Sequence, residues 1–175
     1  AFHEAIPGHH LQNALNLENE DLTLYRRFGY YTSAFGEGWA LYSERLSVEL
    51  GMAKTLFDEL GVLQSELFRS VRLVVDTGLH YKRWTREEAM DYMKKTTGMS
   101  DAEVVSEIER YIVWPGQACS YKVGMIKILD LRERAKDQMG DSFDIRDFHS
   151  AVLDHGEPPL FVIENLVDDM IKEVN

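Results

Sequence analysis

The sequence predicts an all-α fold. Apolar residues recur at helical spacing almost throughout, two explicit capping boxes open helices, and no stretch of useful length alternates like a strand. No internal repeat and no low-complexity linker breaks the pattern. At 175 residues and 45% hydrophobic content, the chain can bury a core as one helical domain, expected over 1–175.

The elements follow in order. The opening AFHEAIPGHHLQ is expected to sit on a helix carrying His3 and Glu4. Such a helix would begin a turn or two earlier, so the chain is expected to be the C-terminal part of a longer protein. GEGWALYSERLSVEL, residues 36–50, keeps Leu41, Leu46 and Val48 among charged positions and reads as a helix opening at Glu37. A long helical pattern over 54–82 is interrupted only by Gly61 and Gly78. Thr85 with Glu88, and Ser100 with Glu103, form capping boxes for the next two helices. Gly98 and Gly140 stand where helices should stop, and Pro115-Gly116 ends one helix and starts the next. Asp144 is expected to cap the segment after it, and Pro158-Pro159 precede a final amphipathic helix ending at Val174.

The charge balance narrows the function. A net charge of −11 at pH 7 argues against nucleic acid or an anionic membrane as the main partner, since both need clustered Lys and Arg. Cys119 is the single cysteine, so no internal disulfide framework exists. No apolar run approaches the ~20 residues that span a bilayer.

Chemistry concentrates in His3, Glu4, His9, His10 and Glu37. A catalytic zinc site uses three protein ligands and one open position. In an unbroken helix His3 and His9 would be ~9 Å apart along the axis, too far to chelate one ion. Pro7 removes a backbone donor and pushes Ile6 out of the helical region, while Gly8 can adopt positive φ, so a sharp turn could bring His9 or His10 back beside His3. Glu37 is the expected third ligand. Glu44, seven residues on, shares its face and could hold a ligating imidazole, but an exposed charge or a partner of Arg45 or Lys122 is the favoured reading for it.

HEAIPGHHLQ, FGEGWALYSERL, RLVVDTGLHYKRWT and PGQACSYKVG together resemble the bacterial "domain of unknown function 885" family along essentially the whole chain. That family is grouped with the gluzincin-like metallopeptidases, and EGWALYSE is similar to the Asn-Glu-Gly-Phe stretch of aminopeptidase N type enzymes, whose Glu binds zinc. The resemblance implies a helical metallopeptidase-like domain, often in secreted or lipid-anchored proteins. It makes His3, His9 and Glu37 ligands of Zn2+ and Glu4 the general base. His9 is preferred to His10 because it directly follows Gly8.

Two further residues are assigned to the reaction. Tyr121, in PGQACSYKVG, is the expected donor to an oxyanion. His80, four residues after Asp76 on one helical face, is the second candidate for stabilising charge or binding substrate. Arg72 is an alternative partner for Asp76, and a free arginine of FRSVR could hold a substrate carboxylate. His149 and His155 read as an amphipathic-helix residue and a helix-end residue. The expectation is a zinc-dependent peptidase acting on peptides. Its alternatives are a metal-dependent hydrolase of other amides or esters and a silent helical interaction module. This 175-residue piece is expected to be inactive or nearly so, and to dimerise through surface the truncation exposes.

Overall fold

The structure, a computed structural model, describes residues 1–174. Among these residues the ordered elements are helical and no strand occurs. The α-helices are α1 (His9–Glu18), α2 (Ser33–Glu49), α3 (Leu56–His80), α4 (Arg86–Thr97), α5 (Asp101–Val113), α6 (Gln117–Met139), α7 (Ile145–Leu153) and α8 (Leu160–Val174). A π-helical turn covers Tyr25–Gly29, and a 3₁₀ turn covers Gly140–Ser142.

Local chemistry sets several boundaries. Thr85 and Ser100 each accept the backbone N–H three residues on, while Glu88 and Glu103 reach back, completing both expected boxes. A third box, Thr55 with Asp58, starts α3. Gly98 ends α4 in the left-handed region, at φ 71. Asp144 caps α7 by accepting from the Arg146 N–H at 2.8 Å. The helix expected to open at Glu37 begins four residues earlier, at Ser33. The 54–82 pattern is not interrupted, because α3 runs straight through Gly61 and Gly78. Gly78 has a packing reason: a Cβ there would lie 2.5 Å from the Trp84 ring.

Two buried clusters make the core. One joins α2, α6, α7 and α8 through residues such as Phe35, Trp39, Met125, Ile128, Phe148 and Ile163. The other joins α3, α4 and α5 through Val71, Val75, Met93, Ile108 and Tyr111, and takes Ala118 from α6. Helix α6 therefore contributes to both. Its crossing with α2 is set by two glycines: a Cβ on Gly38 would lie 2.5 Å from Gly124 Cα, and one on Gly124 would lie 1.9 Å from the Ala34 carbonyl oxygen. Side chains at either position would push the backbones apart. Gly38 adjoins Glu37, and Gly124 is one turn from Tyr121, so this close approach brings those two side chains together.

Candidate metal centre

The opening segment is a helix with a bulge in it. Residues 1–5 make one helical turn, closed by the Ala5 N–H on the Ala1 carbonyl at 2.8 Å. The His9 N–H then bonds the His3 carbonyl at 2.9 Å, and the His10 N–H bonds the Glu4 carbonyl at 3.0 Å. Each bond spans six residues where a helix spans four. Two residues are looped out, and His9 ends up where the fourth residue after His3 would stand. The imidazole centroids are 5.0 Å apart with rings near perpendicular.

Gly8 enables this for a different reason from the one expected. Its φ is −76, so no positive φ is used. What excludes a side chain is crowding, since a Cβ on Gly8 would lie 1.9 Å from the His3 carbonyl oxygen. The Pro7 carbonyl, turned out of the helical ladder, accepts from Trp39 Nε1 at 2.9 Å and Ser43 Oγ at 3.2 Å. Helix α2 thus clamps the bulge with the same EGWALYSE stretch that carries Glu37 and Glu44.

Three of the predicted residues meet. His3 Nε2 and His9 Nε2 each lie 3.3 Å from Glu37 Oε2, and all three donor atoms fall within 4.8 Å of one another. His10 is exposed and outside the cluster. Two donors bound tetrahedrally at ~2.0–2.1 Å would be ~3.3–3.4 Å apart, so the Glu37 contacts match zinc spacing, and two imidazoles with one carboxylate form a usual catalytic donor set.

Glu44 is buried, and this corrects its favoured reading as an exposed charge. Its Oε1 accepts from His3 Nδ1 at 2.7 Å, fixing the tautomer that leaves Nε2 for a metal. Lys122 pairs with Glu66 instead. On the other histidine, the buried Gln12 carbonyl oxygen lies beside the ring and makes no hydrogen bond of normal geometry. Gln12 Nε2 donates to Glu157 Oε1 at 2.9 Å.

The electrostatics are those of a proton-filled ligand set. Burial is the largest influence on His3 and pulls its pKa down, but Glu37 and Glu44 outweigh it and hold it at about 9. His9 is raised chiefly by Glu37, against burial. Burial would raise Glu37, yet His3, His9 and Tyr121 hold it far below the usual carboxylate range. Glu44 is likewise held low by His3, Ser65 and Arg69 despite its burial. Glu157 is pushed up, first by burial and further by the Glu37 charge.

Tyr121 belongs to this group. Its ring stacks on His3 at 6.0 Å, its hydroxyl lies close enough to Glu37 to help hold that carboxyl low, and it accepts from Arg110 Nη2 at 3.5 Å. Glu4 is exposed and lines a cleft of about 530 Å³ with His3, Glu44, Ser65 and Arg69. His80 is not brought to the cluster. It lies about 16 Å farther along the α3 axis than Arg69, donating from Nδ1 to the Asp76 carbonyl at 2.9 Å and lying 3.2 Å from its carboxylate. Asp76 accepts the Gly116 N–H on both oxygens, at 3.1 and 3.0 Å, anchoring the turn into α6. Arg72 is not its partner; it donates to Glu107 at 2.9 Å and to the Tyr111 hydroxyl at 3.0 Å. His149 accepts from the Tyr42 hydroxyl at 2.8 Å, and burial, then Arg132, lower its pKa to about 4.

Gln12 and Glu157 were not anticipated. Gln12 had a usable signal, standing three residues after His9 on one helix face. Glu157 had none, being 145 residues from the Gln12 it holds.

A family described as "Bacterial protein of unknown function (DUF885)" matches residues 1–167. No curated protein matches the chain. The crystal structure of "the putative lipoprotein from Colwellia psychrerythraea" is similar at TM-score 0.95 and 55% identity, over 98% of this chain and 29% of that one. The structure of "a putative lipoprotein of unknown function from Shewanella oneidensis" is similar at TM-score 0.85 and 31% identity, over 94% and 30%. The chain therefore spans less than a third of the length of either. No helix among the described residues is long and apolar enough to cross a membrane.

Proposed function

The chain belongs to the DUF885 family of bacterial proteins, and we propose that His3, His9 and Glu37 form the metal centre of a zinc-dependent hydrolase, a peptidase of the gluzincin-like kind. One observation carries this reading: two imidazole nitrogens meet on a single carboxylate oxygen at 3.3 Å each, with the rear of one ring held by a buried glutamate. Burying two histidines and two carboxylates together adds little stability over apolar packing, which favours a ligand-binding role for the cluster.

Zinc held there would supply Lewis acidity and bring the pKa of a water near ~7. The chain's residues do the rest. Glu4, next in sequence to a ligand and open to the cleft, accepts the proton of the attacking water and passes it to the leaving amine. Tyr121, stacked on His3 and beside Glu37, offers its O–H to the developing oxyanion. Glu44 keeps the His3 ring in one tautomer and orientation. His80 takes no part at this centre. The lipoprotein descriptions of the two similar structures favour a lipid-anchored, extracytoplasmic setting.

The test is metal content and turnover. After zinc reconstitution and dialysis, elemental analysis is expected to give one equivalent, lost in His9→Ala. Set in a protein of the full length of the similar chains, which this chain spans to less than a third, Glu4→Gln is expected to keep the zinc and lose cleavage across a peptide library. No retained zinc in the parent chain would remove the reading, and full cleavage by Glu4→Gln would remove Glu4 as base.

A further inference from the structure

Arg69 is the cation of the site whose charge has no close carboxylate of its own. Its Nη1 donates to Ser65 Oγ at 2.6 Å, and its Nε is buried without a partner. The nearest carboxylate oxygen, Glu44 Oε1, is 4.0 Å away and already bonded to His3 at 2.7 Å. Neighbouring cations are better matched. Arg72 is paired with Glu107, Arg110 bonds Gln117 at 2.8 Å and faces Glu107 at 3.7 Å, and Lys122 is paired with Glu66.

Arg69 also lines the cleft that holds His3 and Glu4. The guanidinium and the His3 ring flank one Glu44 oxygen, so the two are within the reach of about two residues of extended chain, roughly 7 Å. A planar guanidinium suits a two-oxygen acceptor, because its N–H groups form a fork that matches a carboxylate, and Arg69 Nη2 makes no hydrogen bond, its nearest carboxylate oxygen being the one at 4.0 Å. On the hydrolase reading, we infer that Arg69 binds a carboxylate of the substrate, so the cleft selects peptides with an anionic group one or two residues from the cut bond. That group is either a free C-terminus or an acidic side chain.

Calorimetry on the zinc-loaded chain tests this, with Glu4→Gln as background so that probes stay intact. The probes are benzoyl-glycyl-phenylalanine, its C-terminal amide, and benzoyl-glycyl-glutamic acid amidated at its C-terminus. The expected result is about ten- to hundredfold tighter binding of an acid than of the neutral amide, erased by Arg69→Gln. Preference for the first probe identifies a free C-terminus, and preference for the third an acidic side chain. Arg69→Lys, which keeps charge but not the fork, should lose several-fold of the preference, and it serves if the Gln variant does not fold. Equal binding of acids and amide, or a preference that survives both substitutions, overturns the inference. Zinc measured on the same samples separates the two readings. Bound zinc without acid preference overturns the Arg69 role alone. An Arg69-dependent preference without zinc supports that role and overturns the metal centre.

Discussion

Glu44–His3 and Asp76–His80 are both buried-acid–imidazole pairs, yet they do different work. In the first, the acid holds Nδ1 and the ring's Nε2 looks at Glu37 beside a second histidine. In the second, the acid is committed to the Gly116 N–H, and the ring closes onto the same helix turn through a backbone carbonyl. Both imidazoles bond an acid, so that bond is not what distinguishes a metal ligand. What matters is the group facing the other ring nitrogen, and whether the acid is free to serve the ring.

The sharpest way to break this contrast is to delete a ligand that faces the first imidazole and, separately, the imidazole of the second pair. His9→Ala or Glu37→Ala should weaken zinc binding by roughly a thousandfold or more, beyond the ~10–100-fold that an outer partner costs, whereas His80→Ala should leave it unchanged in competition with a chelator. Next comes pH. In the metal-free chain His3 has a pKa of about 9, raised above ~6.5 for the unfolded state. Its contribution to stability is therefore complete below pH 6.5 and lost as pH rises through 9. Zinc must displace that proton, so apparent zinc affinity should climb by roughly a hundredfold between pH 6.5 and 9. A flat profile would mean that His3 is not displaced.

Asp76→Ala acts on the other pair. It leaves the Gly116 N–H without its acceptor and should cost about 2–3 kcal/mol in urea unfolding, with zinc affinity intact. Glu44→Gln should do the reverse, weakening zinc about 10–100-fold. The smallest effect belongs to His80→Ala, at about 1 kcal/mol or less, because its side chain is 31% exposed and both its contacts lie within one turn.

How much was readable follows the range of the interactions. The boxes at Thr85 and Ser100 were legible because cap and partner lie three residues apart. The Thr55 box escaped because Asp58 stands where the usual signature has Glu or Gln. The start of α2 was misplaced because Gly36 and Gly38 look like helix breakers. Gly38 is tolerated inside the helix because α6 occupies the space of its missing side chain. At the site, the residue types of the cluster were visible, but the choice between His9 and His10 depended on a backbone loop of two residues. Glu44 and Glu37 share a face, yet only tertiary packing shows that this face meets His3 and not solvent. Gln12 with Glu157, and Arg69 with Glu44, are contacts between distant segments that no local pattern encodes.

A zinc-edge anomalous difference map from crystals given one equivalent of zinc addresses the metal centre directly. The account predicts one peak, about 2.0–2.1 Å from His3 Nε2 and His9 Nε2 and bounded by the Glu37 carboxylate. A map with no density among those three side chains, or with its peak on His10 or His80, would contradict it.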